Sequence, residues 1–73
     1  MSSRSYMNVW KQTCDAERHA DKGEFEEAFD CLTLACEEHG GVKDGEHHDS
    51  RSHIFFSLNH VLLRRRNAKK ASE

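Results

Sequence analysis

Proline occurs nowhere in this 73-residue chain, and its apolar side chains recur at three- and four-residue spacing between separated glycines. A chain without proline can run helices uninterrupted, and a period near 3.6 gathers such side chains on one helix face. In the first segment Tyr6, Val9, Trp10, Thr13, Cys14, Glu17 and Ala20 share that spacing. They predict a helix over 5–22, ended by Gly23 in the left-handed region. The second stripe, Phe25, Ala28, Phe29, Leu32, Ala35, Cys36 and His39, predicts a helix over 24–39. Glu24, Glu26 and Glu27 fill its first turn, where the helix dipole favours negative charge, and Gly40 and Gly41 stop it.

Residues 40–48 read as a loop, after which Asp49, Ser50 or Ser52 offers a helix cap. Ile54, Phe55, Leu58, Val61 and Leu62 form the inward stripe of a third helix over 50–67. Residues 68–73 hold nothing large to bury and read as a disordered basic tail. The expected architecture is all-α, an antiparallel helical hairpin plus a third helix, in one small domain over 1–67.

Only 17 side chains are large and apolar (Val, Ile, Leu, Met, Phe, Trp, Tyr), so the core is modest and a large private cleft is not expected. No catalytic signature is present. Cys14 and His19 are five apart, which does not put both on one helix face, and Glu17, Glu26, Glu27 and Asp30 read as a solvated carboxylate face. The sequence therefore predicts a protein that is not an enzyme and needs no cofactor. The longest apolar stretches, such as Ile54-Phe55-Phe56 and Val61-Leu62-Leu63, fall far short of the about 20 residues of a membrane span. The opening residues lack the apolar run of a secretory signal. Three cysteines, Cys14, Cys31 and Cys36, make no paired framework, and reduced thiols in a cytoplasmic protein are the expectation.

The stretch Gly23-Glu24-Phe25-Glu26-Glu27-Ala28, continuing to Leu32 and Ala35, resembles the turn and second helix of a tetratricopeptide repeat. That family places glycine at the turn, an aromatic two residues on and small alanines where two helices touch; Ala16 and Ala20 would be the small residues of the first helix. The chain departs from the pattern at Trp10, two positions from the expected aromatic, at Asp15 in an apolar position and at Gly40 in place of the closing proline. The resemblance covers about 20 residues and one unit, and what it implies is a tight helical hairpin.

Charge is unevenly laid out. Residues 1–23 hold four basic and three acidic groups, residues 24–49 one and nine, and residues 50–73 six and one. The middle is thus strongly acidic and the end basic, while the whole chain carries −2.

Three sets of residues are candidates for function. Tyr6, Met7, Val9 and Trp10, rimmed by Arg4 and Lys11, form an aromatic-rich patch of the kind that anchors protein interfaces. Arg64, Arg65, Arg66, Lys69 and Lys70 are a basic cluster able to contact nucleic-acid phosphates, although no aromatic lies beyond Phe56 to stack on bases. Cys36, His39, His47 and His48 offer four zinc-type ligands, against which stands the absence of any C-x2-C pair. Six histidines would carry the formal charge from −2 to +4 on protonation; the plainer reading is a titrating surface without a switch.

The leading functional expectation is a small protein-binding module that regulates or inhibits a larger macromolecular machine by surface contact. In size and style the chain is similar to the small phage-encoded proteins that act on a host machine, including those that dock on bacterial RNA polymerase. Transcription machinery is the first expected target, because an acidic middle and a basic end can address protein and nucleic acid together. A direct DNA- or RNA-binding regulator and a zinc-stapled mini-domain are the alternatives. Homodimerisation cuts across all three, because a second copy can complete so small a core.

Overall fold

The chain folds as three helices joined by short connections, and the computed structural model describes residues 3–72. Helix α1 spans Arg4–Asp21, α2 Phe25–His39 and α3 His47–Ser72, with a single 3-10 turn at Asp44–Glu46 before α3. No strand occurs among the described residues. The all-α class and the hairpin-plus-helix plan follow the apolar periodicity.

Both ends of α1 are capped by named contacts. Ser3 caps α1, its Oγ accepting from the Tyr6 N–H at 3.1 Å. Glu46 completes this cap from far along the chain: its carboxylate accepts from the Ser3 N–H at 3.0 Å and from Ser3 Oγ at 2.7 Å. In a capping box that carboxylate comes from the third residue of the same helix. Here Tyr6 occupies that position, and the turn before α3 supplies the acid instead. The far end of α1 closes on Gly23 at φ 80°. The Gly23 N–H donates to the Ala20 carbonyl at 3.0 Å and the Glu24 N–H to the His19 carbonyl at 2.9 Å, a Schellman closure. Across the same turn His19 Nδ1 donates to Glu24 Oε1 at 2.7 Å.

The third helix departs from expectation at both ends. It begins at His47, because the 3-10 turn runs straight into it. Ser50 is therefore not its cap; it lies inside the helix, fully buried, with its hydroxyl donating to the His47 carbonyl at 3.1 Å. Nor is the segment beyond Asn67 a disordered tail as far as it is described, since α3 stays helical to Ser72. Alanines and lysines are strong helix formers, no glycine or proline interrupts them, and Lys69 and Lys70 face the negative end of the dipole. Glu73 lies outside the described residues.

Helices α1 and α3 run parallel in a fixed register. Ser3 meets Glu46, Trp10 lies against His53, Glu17 bonds His60 and Asp21 pairs with Arg64. Each partner lies 43 positions further along the chain, as the Ser3–Glu46 and Glu17–His60 bonds show. The register places Arg64 level with the end of α1, so the rest of α3, about 12 Å at 1.5 Å per residue, overhangs the hairpin. The longest dimension of the molecule is accordingly 46 Å.

The core is built from small side chains. Ala16, Ala20, Ala28, Leu32 and Val61 form one cluster, with Phe25, Phe29, Cys31 and Leu58 packed half-buried on it. Val9, Ala35, Val42 and Ile54, with Tyr6, form a second. Thr13, Ser50 and Ser57 are buried too, and among the described residues every buried side-chain polar atom has a partner. Alanine, serine and threonine let three helix backbones approach closely, and the larger apolar groups are left at the margins.

Candidate functional site

What packing α3 against the hairpin leaves outside is its most apolar stretch. Ile54, Ser57 and Val61 point inward, and Leu58 is half-buried. Phe55, Phe56, Leu62 and Leu63 are all exposed, Phe56 at 60 % and Leu63 at 54 %. Between residues 54 and 63 seven of ten side chains are apolar, more than the inward face of the helix takes up, with Ser57, Asn59 and His60 the exceptions. The expected inward stripe is corrected here: Phe55 and Leu62 are on the surface, and Ser50 and Ser57 take inward positions, small side chains that meet His39 of α2 and Glu17 of α1.

The four exposed side chains make two flanks. Phe55 and Leu62 lie on the α2 side, where the Arg51 guanidinium sits over the Phe55 ring at 5.5 Å and that of Arg65 over the half-buried Phe29 at 5.7 Å. Phe56 and Leu63 lie on the α1 side. A shallow groove there is lined by Trp10, Cys14, Glu17, His53 and Phe56, and the Phe56 ring packs on that of His60 at 4.6 Å. Glu17 forms the groove wall, accepting from His60 Nδ1 at 2.8 Å and from Ser57 Oγ at 3.5 Å.

The N-terminal patch is split by the fold. Met7 is 61 % exposed and Trp10 is partly exposed, with Arg4 and Lys11 in solvent beside them. Val9 is fully buried in the second cluster and does not belong to a binding surface; Tyr6 packs half-buried on that cluster. Trp10, through His53, joins the α1–α3 groove. Phe55, Phe56, Leu62 and Leu63 were not among the residues the sequence marks for binding, although two apolar rows on one helix signal more apolar surface than a single core contact absorbs.

The basic cluster does not form one face. Successive residues on a helix point about 100° apart, so Arg64, Arg65 and Arg66 fan around the overhang. Arg64 is tied to Asp21 at 2.6 Å and Arg65 covers Phe29, while Arg66, Lys69 and Lys70 project into solvent.

The zinc arrangement is not formed. Among the described residues no group of three or more His, Cys, Asp or Glu side chains is placed to hold a metal ion. His39 and His47 do meet, ring to ring at 4.1 Å, and Cys36 lines the same hollow, but His48 does not. His39 Nδ1 is already committed to Ser50 Oγ at 2.6 Å. All three cysteines are free thiols, and burial, with Asp15 and Asp30 nearby, pushes the Cys31 thiol up.

Two histidines give this surface a pH dependence. Burial, then His47 and Arg51, lowers the His39 value; burial also lowers that of His53, partly offset by Asp49. The unfolded chain therefore takes up these protons first, near the ordinary histidine value of about 6.5. Stability is full above that pH and is lost as the pH falls from there toward the lowered folded-state values. Urea unfolding is expected to show a lower midpoint at pH 5.5 than at pH 7.5, with a smaller difference in the His39→Gln, His53→Gln double variant. An equal difference in both proteins would assign the effect to other groups.

Compared with known proteins, the chain matches no family model, no curated protein and no solved structure. No described helix is long and apolar enough to cross a membrane.

Proposed function

We propose that this chain is a non-enzymatic protein-interaction module that presents α3 to a larger macromolecular machine and regulates or inhibits it by surface contact. The observation that supports the reading is the inversion of side-chain size. Apart from Leu32 and Ile54, the interior is alanine, valine, serine and threonine, while Phe55, Phe56, Leu62 and Leu63 stand on the surface of one helix. Scattered exposed apolar residues are ordinary, but four within nine positions on one helix make a patch of the kind that marks a binding site. Arg51 and Arg65 frame the Phe55–Leu62 flank, as arginine does in the hot spots of interfaces. Transcription machinery is the first target to try, since acidic α2 and the basic end of α3 suit a protein surface next to nucleic acid. Direct nucleic-acid binding is the second reading, favoured by the exposed Arg66, Lys69 and Lys70 on the overhang.

The test captures partners from bacterial lysate, and separately purified RNA polymerase, with a C-terminally tagged chain before and after nuclease treatment. Phe55→Asp with Leu62→Asp is expected to abolish capture while leaving helical circular dichroism intact, because both side chains are outside the core. Replacing Arg66, Lys69 and Lys70 together by Ala is expected to leave capture within about threefold, the range of exposed charges. Capture that disappears with nuclease, or that follows the cations and ignores Phe55 and Leu62, moves the assignment to nucleic acid.

A further inference from the structure

The Phe56–Leu63 flank of α3 carries a sequence that is complementary to itself. Asp49, Phe56, Leu63 and Lys70 are spaced seven apart on one helix, and all four are exposed. Seven residues are nearly two turns, so the row drifts only about 20° per step and runs almost along the helix axis. Read from one end it is acid, aromatic, aliphatic, base. Turned end for end and laid against itself, it sets Asp49 on Lys70 and Phe56 on Leu63, twice over. The two-fold axis of that arrangement passes level with the step between Asn59 and His60, which flank the row on its two sides, so each lies near its own copy across the axis. Neither Asp49 nor Lys70 is in an ion pair within its own chain among the described residues.

We propose that this face joins two copies of the chain in an antiparallel, two-fold symmetric α3 pair. The proposal rests on the reading above that the outward apolar side chains of α3 are interaction surface, and it assigns the occupant of one flank. Charge selects both the flank and the direction. A parallel pair would stack Lys70 on Lys70 and Asp49 on Asp49. An antiparallel pair through the other flank, with Phe55 on Leu62, would bring His48 to Lys69 and Arg51 to Arg66, which repel or do not attract. Symmetric closed pairing needs one patch to complement its own copy, and the Asp49–Phe56–Leu63–Lys70 row meets that requirement. The second helix would lie beside the α1–α3 groove, where Trp10 and Cys14 extend the apolar area. Phe55, Leu62 and the arginines stay outside the pair, available to a different protein.

Sedimentation equilibrium on the untagged chain at about 100 μM is expected to give the mass of a dimer, a concentration that suits a contact of modest area. Leu63→Asp, a change at an exposed position, is expected to give monomers with unchanged circular dichroism. Asp49→Lys alone and Lys70→Asp alone are each expected to weaken the dimer about tenfold, since each places two like-charge pairs at the contact. Mixing those two single variants restores both attractions and is expected to return a heterodimer of the original strength. A wild-type chain that stays monomeric overturns the proposal, as does a dimer that survives Leu63→Asp. A dimer indifferent to Asp49→Lys, or a mixture that fails to recover, overturns the antiparallel arrangement. A monomer that still captures a protein through Phe55 and Leu62 ends the dimer and leaves the interaction-module reading standing. A dimer whose captured proteins do not change when Phe55 and Leu62 become acidic does the reverse.

Discussion

Leu32→Ala is expected to lower the unfolding free energy by about 3 kcal/mol, the middle of the range for deleting a buried leucine side chain. Leu32 is the one large side chain that α2 buries, and it meets Ala16, Ala20, Ala28 and Val61. Four of the five members of that cluster are alanine or valine, too short to reach into the space a lost leucine leaves. The cavity term is therefore retained with little relaxation. A single core in a domain of this size rarely supplies more than about 3–5 kcal/mol, so the variant should be largely unfolded near 37 °C. Urea unfolding followed by circular dichroism measures the effect directly. A loss below about 1 kcal/mol would place Leu32 outside a packed core.

Ala28→Leu tests the opposite limit and is expected to destabilise by about 2 kcal/mol through overpacking. Ala28 is fully buried in the same cluster, facing the small residues of α1 and α3. Three added carbons would force the helices apart along their whole contact, because backbones that close cannot yield at one point alone. Ala68→Leu, the same change on the exposed overhang, supplies the control and is expected to shift the melting temperature very little. Equal shifts in the two variants would mean that α1 and α2 are not held at alanine distance.

These two residues also show how far the fold was legible. Glycines, helical spacing and first-turn acids placed α1 and α2 to within a residue, because each signal acts locally on the backbone. Ala28, Leu32 and Ala35 were readable as an inward stripe for the same reason. The inward face of α3 was legible at Ile54, Leu58 and Val61 but not at Phe55 and Leu62. Two apolar rows compete on that helix, and hydropathy chooses the one with Phe55 and Leu62, whereas packing chooses the one with Ser50 and Ser57. Which row wins depends on how near α1 and α2 lie, distances the sequence does not state. The N-terminal patch failed similarly at Val9, whose size suits the interior as well as an interface. The contact of Glu46 with the cap at Ser3 was beyond reach, since nothing local links positions so far apart. The zinc reading failed on direction: His39 turned to Ser50, and adjacent His47 and His48 point to different sides of one helix.

The constant separation between α1 residues and their α3 partners bears on the order in which the molecule assembles. The hairpin closes over a three-residue connection, so its contacts cost little chain entropy to bring together. Every bond from α1 to α3 closes a much longer loop, one that contains the whole of α2, and the slower, costlier closures come last. The α1–α3 contacts are thus expected to form after the hairpin, with α3 seated by Ile54, Leu58 and Val61 in the two core clusters as well as by the polar contacts of its register. The same topology permits exchange: while α3 is released, the hairpin of another copy is an equally good seat for it. A chain organised in this way carries its most exposed apolar surface on the one helix that two copies could trade.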